Sequence, residues 1–213
     1  MIRSPFLVVH DFISPLLCEK LIEEHGVKAP TIADDGTPMK HEKFIEEPSR
    51  THLHGALQTL VADIEERYDS VVKECTIPLF QQWFEDPAVV CQGHSCENSK
   101  YKAKKWVKVR DVDLVGYLWL KDFNSGVPLD PRFETYGGKL EFPAYDFSLV
   151  PQRGTLVLFP AGPHFITAIS PVLVGSLEQV KVCIKMQTPE NLPWFYQPTK
   201  FPGTYQEWFT EET

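Results

Sequence analysis

An α+β fold, mainly β, with a jelly-roll core buttressed by N-terminal helices is what the sequence predicts, on three observations. Apolar residues recur at helical spacing only before residue 87. After Pro87 the chain breaks into strand-length apolar runs punctuated by Gly and Pro every roughly 8–15 residues, the texture of a β-sandwich or barrel. The chain has 213 residues, 43% of them hydrophobic and 23% charged, which suits one large β-rich domain with a sizeable core. That single domain, 1–213, is expected to comprise a strand and helical support over 1–86, the β core over 87–190 and a C-terminal tail over 191–213.

In chain order, "FLVVHDF" (6–12) reads as a short strand. "SPLLCEKLIEEHG" (14–26) carries helix signals: Ser14 as N-cap, Pro15 at the first helical position and Gly26 as terminator. Residues 29–50 are polar and rich in Pro and Asp, which predicts a long loop. "HLH" (52–54) has metal-like spacing but reads as a capped loop. A second helix is expected over 55–74, where Leu57, Leu60, Val61, Ile64, Tyr68, Val71 and Val72 line one face. The strands expected beyond it are "AVVCQGH", "WVKVRDVDLVGYLWL", "GKLEFPAYDFSLVP", "GTLVLFP", "HFITAIS" and "QVKVCIKM".

A net charge of -8 and a pI near 5.4 argue against a general nucleic-acid backbone binder, which needs a basic surface. "KYKAKKWVKVR" (100–110) gathers six Lys and Arg residues around Trp106 and reads as a solvated loop and strand edge. Five cysteines without framework spacing, and an N-terminus without signal-peptide layout, predict a reduced, cytoplasmic protein. No apolar stretch approaches the roughly 20 residues of a membrane span, so no membrane partner is expected.

"LVLFPAGPHFITAI" (156–169) sets His164 at a corner between two apolar runs. A buried imidazole must find partners for both ring nitrogens, and it is also the side chain most often used to bind a metal. In context, "YGGKLEFP" (136–143), "VPQRGTLVLFPAGPHF" (150–165) and "QVKVCIKM" (179–186) together resemble the C-terminal half of the double-stranded β-helix of Fe(II)- and 2-oxoglutarate-dependent dioxygenases, particularly the prolyl 4-hydroxylase-like members. "FLVVHDFISPLLCEKLIEEH" looks like their opening strand and helix, and "DLVGYLWL" (113–120) like the strand just past their first metal ligands.

The resemblance implies Fe(II) held by two imidazoles and a carboxylate, leaving positions open for 2-oxoglutarate and O2. It makes His164 the distal histidine. Upstream the pattern departs from the family's His-x-Asp: the histidine is His94, the acid's place is taken by Cys96, and Glu97 follows. His94, Glu97 and His164 are the expected triad, because a hard carboxylate suits Fe(II). Cys96 as a thiolate suits zinc better, and Asp111 or Asp113 remains an alternative acid. "HSCENS" also reads as a plain polar turn.

For the far carboxylate of 2-oxoglutarate the family uses a cation on the strand after the distal histidine, here Lys181 or Lys185. Alternation puts Lys181 and Cys183 on one face, and Lys181 is preferred. The separation of 17 positions from His164 to Lys181 exceeds the family's interval, which implies a longer hairpin at "SPVLVGSLEQ". Tyr117 is expected on the inward register of "DLVGYLWL", giving its hydroxyl to the same cosubstrate. The activity implied is oxidative decarboxylation of 2-oxoglutarate coupled to C–H hydroxylation, with Fe(II), O2 and ascorbate as further requirements. The expected substrate is a peptidyl proline, bound under lids formed by 29–54 and the Pro-rich 125–136; a free amino acid is the alternative. A non-catalytic jelly-roll binding module is the rival from another class.

Overall fold

A computed structural model of the chain describes residues 4–86, 92–95, 99–102, 105–108, 110–124, 130, 132 and 134–187. β1 (Leu7–Val9) leads into α1 (Pro15–His25), and β2 (His41–Phe44) follows. Two helices, α2 (Ser49–Thr59) and α3 (Val61–Tyr68), precede β3 (Val71–Cys75) and β4 (Leu79–Phe84). Then come β5 (Gln92–Ser95), β6 (Ser99–Lys102), β7 (Lys105–Lys108), β8 (Leu114–Trp119), β9 (Asp122–Asn124), β10 (Glu134–Gly137), β11 (Leu140–Phe142) and β12 (Phe147–Leu149). The series closes with β13 (Leu156–Pro160), β14 (Thr167–Ile169), β15 (Val172–Val174) and β16 (Ser176–Gln187).

α1 begins and ends as its sequence predicts: the Ser14 hydroxyl accepts from Leu17 N–H at 3.3 Å, and Gly26 N–H closes the last turn on Ile22 O at 2.8 Å. The expected helix over 55–74 is instead two helices and a strand. Asp69 stops α3 in the left-handed region (φ 51°), and the β-branched pair Val71 and Val72 then extends into β3. "HLH" lies inside α2 rather than in a loop, and β2 forms within the expected long loop. β4 escapes the apolar-alternation pattern because Gln81 and Gln82, adjacent and buried, serve opposite faces of the sheet.

The main sheet runs β1-β13-β8-β16-β4-β2, with β3 pairing the far end of β16. β4 and β2, on the helical side of residue 87, are thus members of the core sheet. β8 is buried at every position, as a central strand covered on both faces must be. One face meets the helices: the ring of His25 in α1 lies 6.0 Å from that of Phe80, and the Tyr68 hydroxyl of α3 donates to Leu158 O at 3.1 Å. The other face looks onto a second sheet, β12-β11-β14-β5, across a packed cluster of Phe6, Phe142, Phe147, Phe159 and Phe165. Two facing antiparallel sheets make the jelly roll.

The Gly-Gly of "YGGKLEFP" marks a crossing. Gly137 has φ 93°, and a Cβ there would lie 2.0 Å from Pro171 O. β15 and the long β16 occupy the stretch where a longer hairpin is expected. β10 begins inside the Pro-rich segment proposed as a lid and pairs with β9 and β15. No helix among the described residues is long and apolar enough to cross a membrane.

Candidate functional site

The inner face of the main sheet is built in rows, because residues directly opposite in an antiparallel ladder point to the same side. One row reads Val157, Tyr117, Lys181 and Leu79 across β13, β8, β16 and β4. Tyr117 and Lys181 are therefore direct cross-strand neighbours. The Tyr117 ring is 8% exposed and stacks on Phe159 with centroids 6.1 Å apart, so the phenol is held between the phenylalanine cluster and the lysine. Lys185, two inward positions further along β16, is engaged by the Asp111 carboxylate.

The adjacent row reads Trp119, Gln179, Gln81 and Glu42 across β8, β16, β4 and β2. Its side chains form a chain of hydrogen bonds: Gln179 Nε2 donates to Gln81 Oε1 at 3.0 Å, and Gln81 Nε2 to Glu42 Oε1 at 2.6 Å. Burial pushes the Glu42 carboxyl up. Hydrogen bonds from Lys40 and Gln81, with the charges of Lys40 and Lys181, outweigh that and hold it below the usual carboxylate range. Sequence reasoning missed this row. The signal was the pair of glutamines in "LFQQWF", legible only once that segment is known to be a strand.

Of the expected metal ligands, the two described ones, His94 and His164, lie in or next to the opposite sheet. β5 carries His94 and pairs antiparallel with β14 through Ser95 and Thr167. Glu97 and Cys96 lie outside the described residues. His164 sits half-buried on a 3-10 turn, Pro163–Phe165, just before β14. Phe165 anchors that turn: it is 6% exposed, its ring packs against Phe6 at 5.8 Å and its N–H donates to Gly162 O at 2.9 Å. The alternative acid Asp113 is 1% exposed and accepts from Met186 N–H at 2.8 Å. Among the described residues no three His, Cys, Asp or Glu side chains are grouped closely enough to hold a metal. Two imidazoles and a carboxylate are a donor set that would suit Fe(II), and the β5–β14 pairing brings the strand that carries His94 beside the strand that follows His164.

Compared with known proteins, the sequence matches no family model and no curated protein. Solved structures do match. The viral collagen prolyl hydroxylase of Paramecium bursaria Chlorella virus-1, in complex with 2-oxoglutarate, aligns over 87% of this chain and 97% of its own at 13% identity, with a TM-score of 0.62. A Pseudomonas putida prolyl 4-hydroxylase aligns over 87% and 94% at 12% identity, with a TM-score of 0.58. A Trichoplax adhaerens prolyl hydroxylase, in complex with a hypoxia-inducible-factor peptide fragment, aligns over 85% and 84% at 12% identity, with a TM-score of 0.57. Two facing sheets, a helical buttress on the outer face and these alignments along most of the chain agree: the protein has the prolyl 4-hydroxylase-like fold of the Fe(II)- and 2-oxoglutarate-dependent dioxygenases.

Proposed function

We propose that the protein is an Fe(II)- and 2-oxoglutarate-dependent dioxygenase that hydroxylates an unactivated C–H bond, with a peptidyl proline as its substrate. The observation that carries this reading is the Tyr117–Lys181 pair on the inner face, a hydroxyl and a cation side by side on adjacent central strands. In this reading they hold the far carboxylate of 2-oxoglutarate, a charge-assisted contact that orients the cosubstrate across the space between the sheets. Lys181 is assigned that role because it is directly opposite Tyr117 in the ladder, whereas Lys185 is opposite Glu74 and is held by Asp111.

His94, Glu97 and His164 would hold the metal, which when bound supplies the activation of O2 and the oxidative decarboxylation of 2-oxoglutarate. The phenylalanine cluster around Phe159 supplies a dry wall that keeps bulk water from the reacting groups. The peptide substrate is favoured because one protein of the same fold, from Trichoplax adhaerens, holds a peptide fragment. A cytoplasmic setting is part of this reading, on five cysteines without framework spacing; burial pushes the thiols of Cys18 and Cys75 up to about 11.

The test is anaerobic titration of 2-oxoglutarate into the Fe(II)-loaded protein, followed by the weak visible charge-transfer band and by calorimetry. Lys181→Met is expected to weaken 2-oxoglutarate binding by about 1.5–3 kcal/mol, the range for hydrogen bonds to charged groups, while Lys185→Met changes it little. Incubation with O2, ascorbate and proline-rich peptides should then add one oxygen to proline by mass. Absence of the band and of 2-oxoglutarate binding would leave a non-catalytic binding module.

A further inference from the structure

The inner-face row next to Tyr117 and Lys181 ends in two polar atoms with no partner among the described residues. Trp119 and Gln179 are directly opposite each other on β8 and β16, 2% and 0% exposed. Trp119 Nε1–H and Gln179 Oε1 have no hydrogen-bond partner among the described residues. Leaving a buried donor and a buried acceptor unmade costs about 1–3 kcal/mol each, so both atoms call for a partner, a water or a ligand group.

The polarity of the pair is fixed from the far end of the row. Glu42 is anionic and accepts, so Gln81 must turn its amide nitrogen toward it; Gln81 then offers its oxygen to Gln179, which must answer with nitrogen. Gln179 is left presenting its oxygen. An orienting carboxylate, acting through two amides, therefore leaves an acceptor on the residue directly opposite the indole donor.

We propose that Trp119 and Gln179 together bind an amide N–H and an amide C=O of the substrate that point to the same side. The N–H would donate to Gln179 Oε1, and the C=O would accept from Trp119 Nε1–H. A carboxylate satisfies the indole but sets its second oxygen against that of Gln179, so the pair selects against acids. Two sources carry this chemistry: the primary carboxamide of an Asn or Gln side chain, or one extended residue whose own N–H and C=O face one way, as on a strand edge. Proline has no N–H, so the residue read here is a neighbour of the hydroxylated one rather than the proline itself. That last assignment rests on the function proposed above; the amide site does not, and it is read out without metal or cosubstrate.

The experiment follows the indole N–H resonances by NMR in the full-length protein. Trp119 is identified among the five tryptophans by the signal lost in Trp119→Phe. Propionamide, propionate, N-acetylalanine methylamide and N-acetylproline methylamide are titrated separately. Propionamide, the alanine compound or both should shift the Trp119 resonance saturably, with propionate and the proline compound weaker by about fivefold, one hydrogen bond's worth. A response to propionamide alone identifies a side-chain carboxamide as the source, and a response to the alanine compound alone identifies an extended backbone. Gln179→Met should abolish the preference over propionate. Propionate binding as well as the amides, or no probe moving the Trp119 signal, overturns the proposal, and the wild-type titrations decide this without any variant.

Discussion

His25 is 4% exposed, packs its ring against Phe80 and has no hydrogen-bond partner on either ring nitrogen among the described residues. Burial holds its pKa below the ordinary 6.5; Lys43 adds to the effect, while Glu24 and Glu46 pull the other way. The sign of the consequence follows from which state takes the proton first. As pH falls through about 6.5 the unfolded chain protonates and the native state does not, so stability is full above that pH and declines below it. His25→Phe keeps the ring and removes the titration. Urea midpoints at pH 7.5 and 5.5 should fall further apart for the wild type than for the variant; parallel behaviour would assign the acid sensitivity to other groups.

At the scale of elements, the buried charges of the sheet hold strand ends together. Lys121, just after β8, meets Glu178 of β16 at 2.7 Å, with side chains 4% and 1% exposed. Gln82 Nε2 donates to the same carboxylate at 2.9 Å, the Ser176 hydroxyl donates to it at 2.6 Å, and burial pushes the Glu178 carboxyl up against these attractions. Lys121→Met strands a desolvated carboxylate and should cost about 3–5 kcal/mol in denaturant unfolding. The double variant Lys121→Met, Glu178→Met should recover most of it; a double variant no better than the single would show that the lysine acts by packing. Gly137→Ala meets both a left-handed backbone and the Pro171 carbonyl, and a loss of at least about 1–3 kcal/mol is expected by the same measurement.

These elements also show what a sequence discloses. α1 is legible because its cap and terminator are local, and β8 because a strand buried on both faces is a continuous apolar run. Alternation along β16 and β8 is enough to bring Lys181 and Tyr117 to one face. β3 and β4 are hidden: Val71 and Val72 fit a helical stripe equally well, and Gln81 and Gln82 look like surface until both faces of their strand are known to be covered. The Glu42 to Trp119 row is hidden for a deeper reason, since its members come from four strands and only the ladder aligns them.

For the whole molecule, ligands held between the two sheets should resist their separation. With Mn(II) in place of Fe(II), 2-oxoglutarate at about a hundred times its Kd is expected to add about 2.7 kcal/mol, seen as a rise in Tm. His164→Ala should lose the metal-dependent part of that rise, and Lys181→Met most of the 2-oxoglutarate-dependent part. A rise in His164→Ala equal to that of the wild type would remove His164 from the metal site.

β16 pairs with β8 along one edge and with β4 and then β3 along the other, yet it is the last of the described strands in chain order. During synthesis, therefore, β8 and β4 leave the ribosome with the middle of their sheet still unmade, each presenting an open edge to any neighbouring chain. A nascent polypeptide stalled before residue 176 has neither the Tyr117–Lys181 pair nor a closed sheet. Its fate is a chaperone or an aggregate, and a truncation allele ending there should behave as a null through loss of protein rather than loss of catalysis.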